Sequence, residues 1–240
     1  MPETSFPHAG TSLIAAETRH AVLTHPTNSV TVAGTPVVVV MPLTSHSQPR
    51  AFADETRTYA ALHAAGHQVL TVSWRQFWTQ SGKERFAPRV KDLDALVTAL
   101  GSSGQSLHLA AIGNGALVAM KWLAALVDLG GDPIHSVQSL TLIAPELHIF
   151  DRQPRTPLRG TPANSCLIAD ASQDWHSSRA IATKLPGTTQ FALAEGHQRF
   201  SISDLGSRNS RADSDAATFE GDWRLSWADW LHRARVAELA

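Results

Sequence analysis

The chain has 240 residues, of which 43% are apolar and 17% charged, a composition that fits one α/β domain of ordinary size and excludes a disordered chain. Lys and Arg total 20 against 21 Asp and Glu, so the net charge is −1. Without a basic excess or a polybasic run, this argues against nucleic acid as a partner.

One cysteine, Cys166, leaves no intramolecular disulfide and no Cys-based zinc site, which fits a reducing, cytoplasmic setting. The opening MPETSFPHAG lacks a charged segment followed by an apolar one, so no secretory leader is expected. The apolar run 36–43 is too short to cross a bilayer, and 107–129 contains His108, Asn114, Lys121 and Asp128. No membrane association is expected, and a single domain over 1–240 is.

In chain order, residues 1–35 read as an arm or as leading antiparallel strands, with Ala21 to Thr24 and Val30 to Val32 as the candidates. Val37 to Met41 is a continuous β-branched run, the signature of a strand buried on both faces of a parallel sheet. Asp54 caps a helix to about Ala65, with Phe52, Tyr59 and Leu62 on one face and Gly66 as its stop. His67 to Ser73 is a strand, and 75–88 a polar loop bearing aromatics. A helix begins near Arg89 with Val90, Leu93, Val97 and Leu100 at helical spacing. Leu107 to Ile112 is a strand, Gly-Asn-Gly a tight turn, and Ala116 to Leu129 a helix. Val137 to Ile143, Cys166 to Ala169 and Gln190 to Leu193 complete the strands. A closing helix carries Trp223, Trp227, Trp230 and Leu231 on its core face, and the Ser-, Asp- and Arg-rich stretch 201–222 reads as a mobile surface loop. This β–α alternation predicts a doubly wound, mostly parallel sheet with helices on both faces.

Ligands of such sheets bind at the carboxyl ends of the strands. The residues there are Pro42 to Ser47, Trp74 and Arg75, Gly113 and Asn114, Pro145 and Glu146, Ala171 to Trp175, and Glu195 to His197. Over residues 36 to 235 their order resembles the α/β-hydrolase superfamily. SLHLAAIGNGALVAMKWLA looks like that family's strand-turn-helix nucleophile elbow, with Ala111, Gly115 and Ala116 at its small positions. LTLIAPEL is similar to the strand that follows, CLIADASQDW places Asp174 at the acid position, and FALAEGHQRF places His197 at the histidine position. The short segment 146–164, with Arg152, Arg155 and Arg159, leaves room for only a minimal cap.

The nucleophile position itself holds Gly113, which has no group to attack a carbonyl. The family's His-Gly after the first core strand is replaced by Met41-Pro42, and Pro42 has no N–H to donate to an oxyanion. The N-myc downstream-regulated proteins, which have this fold without a working elbow nucleophile, carry a similar Gly-rich elbow.

The resemblance therefore implies a divergent member that is no ordinary serine hydrolase, and three readings stay open. His197 with Asp174 can act as a base dyad in non-acyl chemistry on a small molecule, with Asp170 as the rival acid. Alternatively, the chain is a pseudo-hydrolase that binds a ligand or a protein partner. A third reading relocates the nucleophile to Thr44, Ser45 or Ser47, hydroxyls that otherwise satisfy a turn. Pro42, Leu43, His46, Trp74, Asn114 and Trp175 are the candidate pocket residues, joined by Phe77 and Trp78 in an aromatic wall. Arg75 meets either an anionic ligand or a neighbouring acid. No His pair stands at metal-ligand spacing and no phosphate loop is present, so no metal or cofactor is expected.

Overall fold

The apolar runs become one sheet. The computed structural model describes residues 13–26, 34–44, 54–75, 86–101, 106–129, 137–145, 162, 164–172, 175–182, 185, 188–195, 199–204 and 217–236. Among them ten strands pair in the order β1-β2-β4-β3-β5-β6-β7-β8-β9-β10. The strands are β1 (Leu13–Glu17), β2 (Ala21–His25), β3 (Pro36–Val40), β4 (Gln68–Trp74), β5 (Leu107–Ile112), β6 (Val137–Ile143), β7 (Asn164–Asp170), β8 (Thr188–Glu195), β9 (Arg199–Asp204) and β10 (Ala217–Glu220). Pairing from β4 through β8 is parallel, and the two strands at each edge run antiparallel.

The Val37–Val40 run is fully buried because helices cover both faces. Val38 and Val40 pack with Leu93, Leu96 and Val97 of α2 (Phe86–Gly101) and with Val118, Trp122 and Leu123 of α3 (Gly115–Asp128). Val37 and Val39 face Tyr59 and Leu62 of α1 (Glu55–Ala64) and the Trp stripe of α5 (Trp223–Val236). Each such valine contributes about 1.5–3 kcal/mol of burial. A further helix, α4 (Trp175–Ala182), lies on the α2–α3 face through Trp175 and Ala182. The expected sequence of strands and helices is therefore present, with α4 as an addition that the short stretch WHSSRAIA does not announce.

Helix ends follow local chemistry. The Asp54 side chain accepts the Arg57 N–H at 3.1 Å and caps α1. The chain leaves α1 through Gly66 at φ +83, where a Cβ would be strained. α2 starts one turn before the expected Arg89, because Pro88 falls in its first turn, where a missing N–H costs nothing. On α5, Trp227 Nε1 donates to Thr141 Oγ1 at 3.0 Å. Arg224, fully buried, donates through Nε to Thr58 and through a terminal nitrogen to Asp222, and lies 4.8 Å from the Trp223 ring centroid.

At the amino end, β2 matches the expected strand at Ala21 to Thr24, its partner is β1, and Val30 to Val32 lie outside the described residues. The reading of 201–222 as a mobile loop is corrected at its two ends: β9 extends through residues 201–204 and β10 occupies residues 217–220, while 205–216 lie outside the described residues. Alternation rather than composition carried the signal there. In FSISD and ATFE, Phe200 and Phe219 stack at 5.3 Å, a cross-strand pair that stabilises the edge hairpin. No described helix is long and apolar enough to cross a membrane.

Candidate functional site

Strand order reverses at β3. The chain goes from β3 to β4 on one side and returns to β5 on the other. In an open α/β sheet this switch point opens a crevice at the carboxyl ends of the two central strands. The residues there are Met41 to Thr44 after β3 and Gly113 and Asn114 after β5.

The backbone N–H groups along this edge are accounted for one by one. Met41 donates to Val72 O (3.0 Å), Gly113 to Ile143 O (3.0 Å), Ala144 to Ile168 O (2.6 Å) and Ala171 to Ala194 O (2.9 Å). Each strand's first exit residue is thus tied to the carbonyl of its neighbour, which fixes the loops relative to the sheet. Pro42 has no N–H, and the Leu43 N–H goes to the side-chain Oδ1 of Asn114 at 2.7 Å. The Asn114 Nδ2 lies 3.4 Å from Thr44 Oγ1. Both Leu43 and Asn114 are buried.

The turn between β5 and α3 depends on a glycine. Gly113 has φ +53, a conformation that costs an L side chain about 1–2 kcal/mol. The following Gly115 allows α3 to reach the β3 exit, since a Cβ there would stand 2.5 Å from Met41 O and 2.9 Å from Val40 O. The same Met41 carbonyl accepts the Trp74 indole N–H at 2.8 Å. Trp74, expected as pocket wall, is thus also a clamp on the β3 exit. Ala144, a non-glycine at φ 40, is strained and follows β6 beside this turn.

On the β7 side, Asp170 is buried and its Oδ1 accepts both the N–H (2.9 Å) and the hydroxyl (2.6 Å) of Ser172. This is an Asx-type turn that starts the segment leading to residue 174. Trp175 is half-buried, stacks on His176 at 3.8 Å and packs toward Phe191. Arg75 pairs with Glu17 of the edge strand, so the neighbouring acid is its partner. Pro42, Leu43, Thr44, Trp74, Gly113 and Asn114 come together. His46, Ser45, Ser47, Phe52, Phe77, Trp78, Glu146, the three arginines of 146–164, Asp174 and His197 lie outside the described residues. Among the described residues no three His, Cys, Asp or Glu side chains converge as a metal site.

The side chain of Asn114 is the feature that sequence reading missed. Asn114 was expected among the pocket residues, with no partner assigned to its carboxamide. The available signal was Pro42, which leaves Leu43 as the next N–H in the β3 exit.

Solved structures match this arrangement over most of the chain. A sugar hydrolase from Lactococcus lactis superimposes with a TM-score of 0.57 at 14% identity, covering 95% of this chain and 100% of its own. A dienelactone hydrolase from Anabaena variabilis gives 0.56 at 12%, covering 93% and 96%. An α/β serine hydrolase without lid from Xanthomonas campestris gives 0.53 at 21%, covering 78% and 84%. The chain has the α/β-hydrolase fold. No protein-family model and no curated protein matches it. In this fold the β5-turn-α3 unit, with Gly113 in its turn, faces the β3 exit across the switch point.

Proposed function

We propose that the protein is a divergent α/β-hydrolase-fold protein that does not run serine acyl transfer, and that His197 with Asp174 acts as a base dyad on a small molecule. Gly113 at the apex of the elbow is the observation that carries this reading. The place where the fold presents a nucleophile holds no side chain, so an acyl-enzyme cannot form there. The sequence places Asp174 four residues after Asp170, the end of β7, and His197 two after Glu195, the end of β8. The parallel pairing of those strands supports bringing the two side chains to one edge. The carboxylate would orient the imidazole, which then takes a proton from substrate or water. The match to a serine hydrolase without lid supports an open site.

Two assays test this. With a short activated ester, the native chain is expected to stay at the background rate, while Gly113→Ser gains hydrolysis that His197→Ala abolishes. Native hydrolysis as fast as that of Gly113→Ser would refute the reading. With a nitrobenzisoxazole, whose ring opens on removal of one proton, the native chain is expected to accelerate the reaction, with the rate rising as the imidazole loses its proton. His197→Ala should remove that acceleration. A native chain inert to the probe favours the second reading, a pseudo-hydrolase that binds a ligand or protein. The Leu43–Asn114 hydrogen bond fits either reading, because the donor it takes up is one that acyl transfer would use.

A further inference from the structure

We propose that Asn114 determines which chemistry the site can perform: its side-chain carbonyl occupies the position of a substrate oxyanion and keeps the β3-exit donor out of use. The inference rests on the reading above and deepens it. In an elbow, a developing oxyanion is held by the N–H after the apex and by an N–H of the loop after β3. From Met41 to Leu43 every such donor has a destination. Met41 N–H is committed to Val72, Pro42 has none, and Leu43 N–H meets Asn114 Oδ1 at 2.7 Å.

Asn114 enters α3 with helical φ −76 and ψ −9, so its side chain is out of capping geometry and makes no capping hydrogen bond. It turns across the switch point to the β3 exit instead, in a buried setting where a carbonyl oxygen and an N–H are held at full strength. The β3 exit cannot retreat from it, because Trp74 holds Met41 O and the backbone of α3 at Gly115 packs against the same carbonyl. Asn114 therefore acts on the site through Leu43 as a positioning residue. A substrate whose reaction builds negative charge on a carbonyl oxygen is disfavoured, because one of two stabilising donors is taken, and one that needs only proton removal is not.

The test combines two readouts. In the native chain labelled with nitrogen-15, the Leu43 amide is expected to exchange slowly with solvent and to stay unshifted on addition of acetate, a small oxyanion. In Asn114→Ala it should exchange at least about tenfold faster, and acetate should shift it, because a buried N–H without a partner takes the first acceptor offered. Second, Gly113→Ser/Asn114→Ala should hydrolyse an activated ester about 10- to 100-fold faster than Gly113→Ser, a step below the loss seen when one oxyanion donor is removed from a working enzyme. A Leu43 amide that exchanges freely or binds acetate in the native chain overturns the inference. So does equal hydrolysis by active single and double variants. If both serine variants are inert, the elbow–dyad reading has failed, and the amide measurement alone decides the role of Asn114. Should Asn114→Ala not fold, Asn114→Ser, with its shorter side chain, serves in its place.

Discussion

Gly113 and Asn114 are neighbours with opposite burdens. Gly113 supplies a backbone angle, φ +53, and no chemistry, whereas Asn114 supplies a carboxamide that closes a hydrogen bond across the sheet. Gly113→Ser should lower the unfolding free energy by about 1–2 kcal/mol, measured by urea denaturation, because a Cβ is disfavoured at that φ. Cys166 illustrates the other kind of residue. Burial in the α1–α5 layer pushes its thiol from the ordinary 9.0 up to about 12, so it is no nucleophile at neutral pH. Above pH 9 the unfolded chain releases a proton that the native chain keeps. The stability linked to this thiol is therefore complete below pH 9 and falls by about 1.4 kcal/mol per pH unit toward the native value. Cys166→Ala should flatten the stability profile between pH 9 and 10. Beyond that, Tyr59, raised by burial and then by the Glu55 carboxylate beside it, adds a slope of the same sign. An unchanged slope in Cys166→Ala would show that the thiol titrates alike in both states.

Among the elements, the β3 exit, the elbow and α5 show how far sequence reaches. The strand-turn-helix at 107–128 was legible because apolar runs, Gly-Asn-Gly and helical spacing all point the same way. The doubly buried valines of β3 were legible for the same reason. The hydrogen bond between Leu43 and Asn114 was not, since it joins residues 71 positions apart and depends on where α3 packs. β9 and β10 were hidden by polar composition, and only cross-strand stacking of Phe200 on Phe219 shows why they pair. Gly115→Ala tests the close approach that aligns elbow and loop. Its Cβ would stand 2.5 Å from Met41 O and 2.9 Å from Val40 O, so a loss of about 1–3 kcal/mol in thermal or urea unfolding is expected. On α5, Arg224→Met should cost about 2–4 kcal/mol, because Thr58 and Asp222 lose a charged donor in a buried setting.

For the molecule as a whole, the reversal of strand order at β3 makes the crevice and the fold leaves its furnishing to loops. Sequence order identified the α/β-hydrolase arrangement because βα units wind in a single sense and their exit loops fall on one edge. The same fold in structures described as a sugar hydrolase and a dienelactone hydrolase does not transfer their chemistry, which belongs to site side chains rather than to the fold. Three features lie together at the switch point: a glycine in the β5–α3 turn, a proline in the facing loop, and an asparagine whose side chain takes the Leu43 N–H. Labelling with a fluorophosphonate, followed by mass spectrometry of the intact chain and its peptides, reads directly whether a nucleophile is present. The native chain is expected to stay unlabelled, while Gly113→Ser is labelled at residue 113. Stoichiometric labelling of the native chain, at Thr44, Ser45, Ser47 or any other hydroxyl, would contradict it.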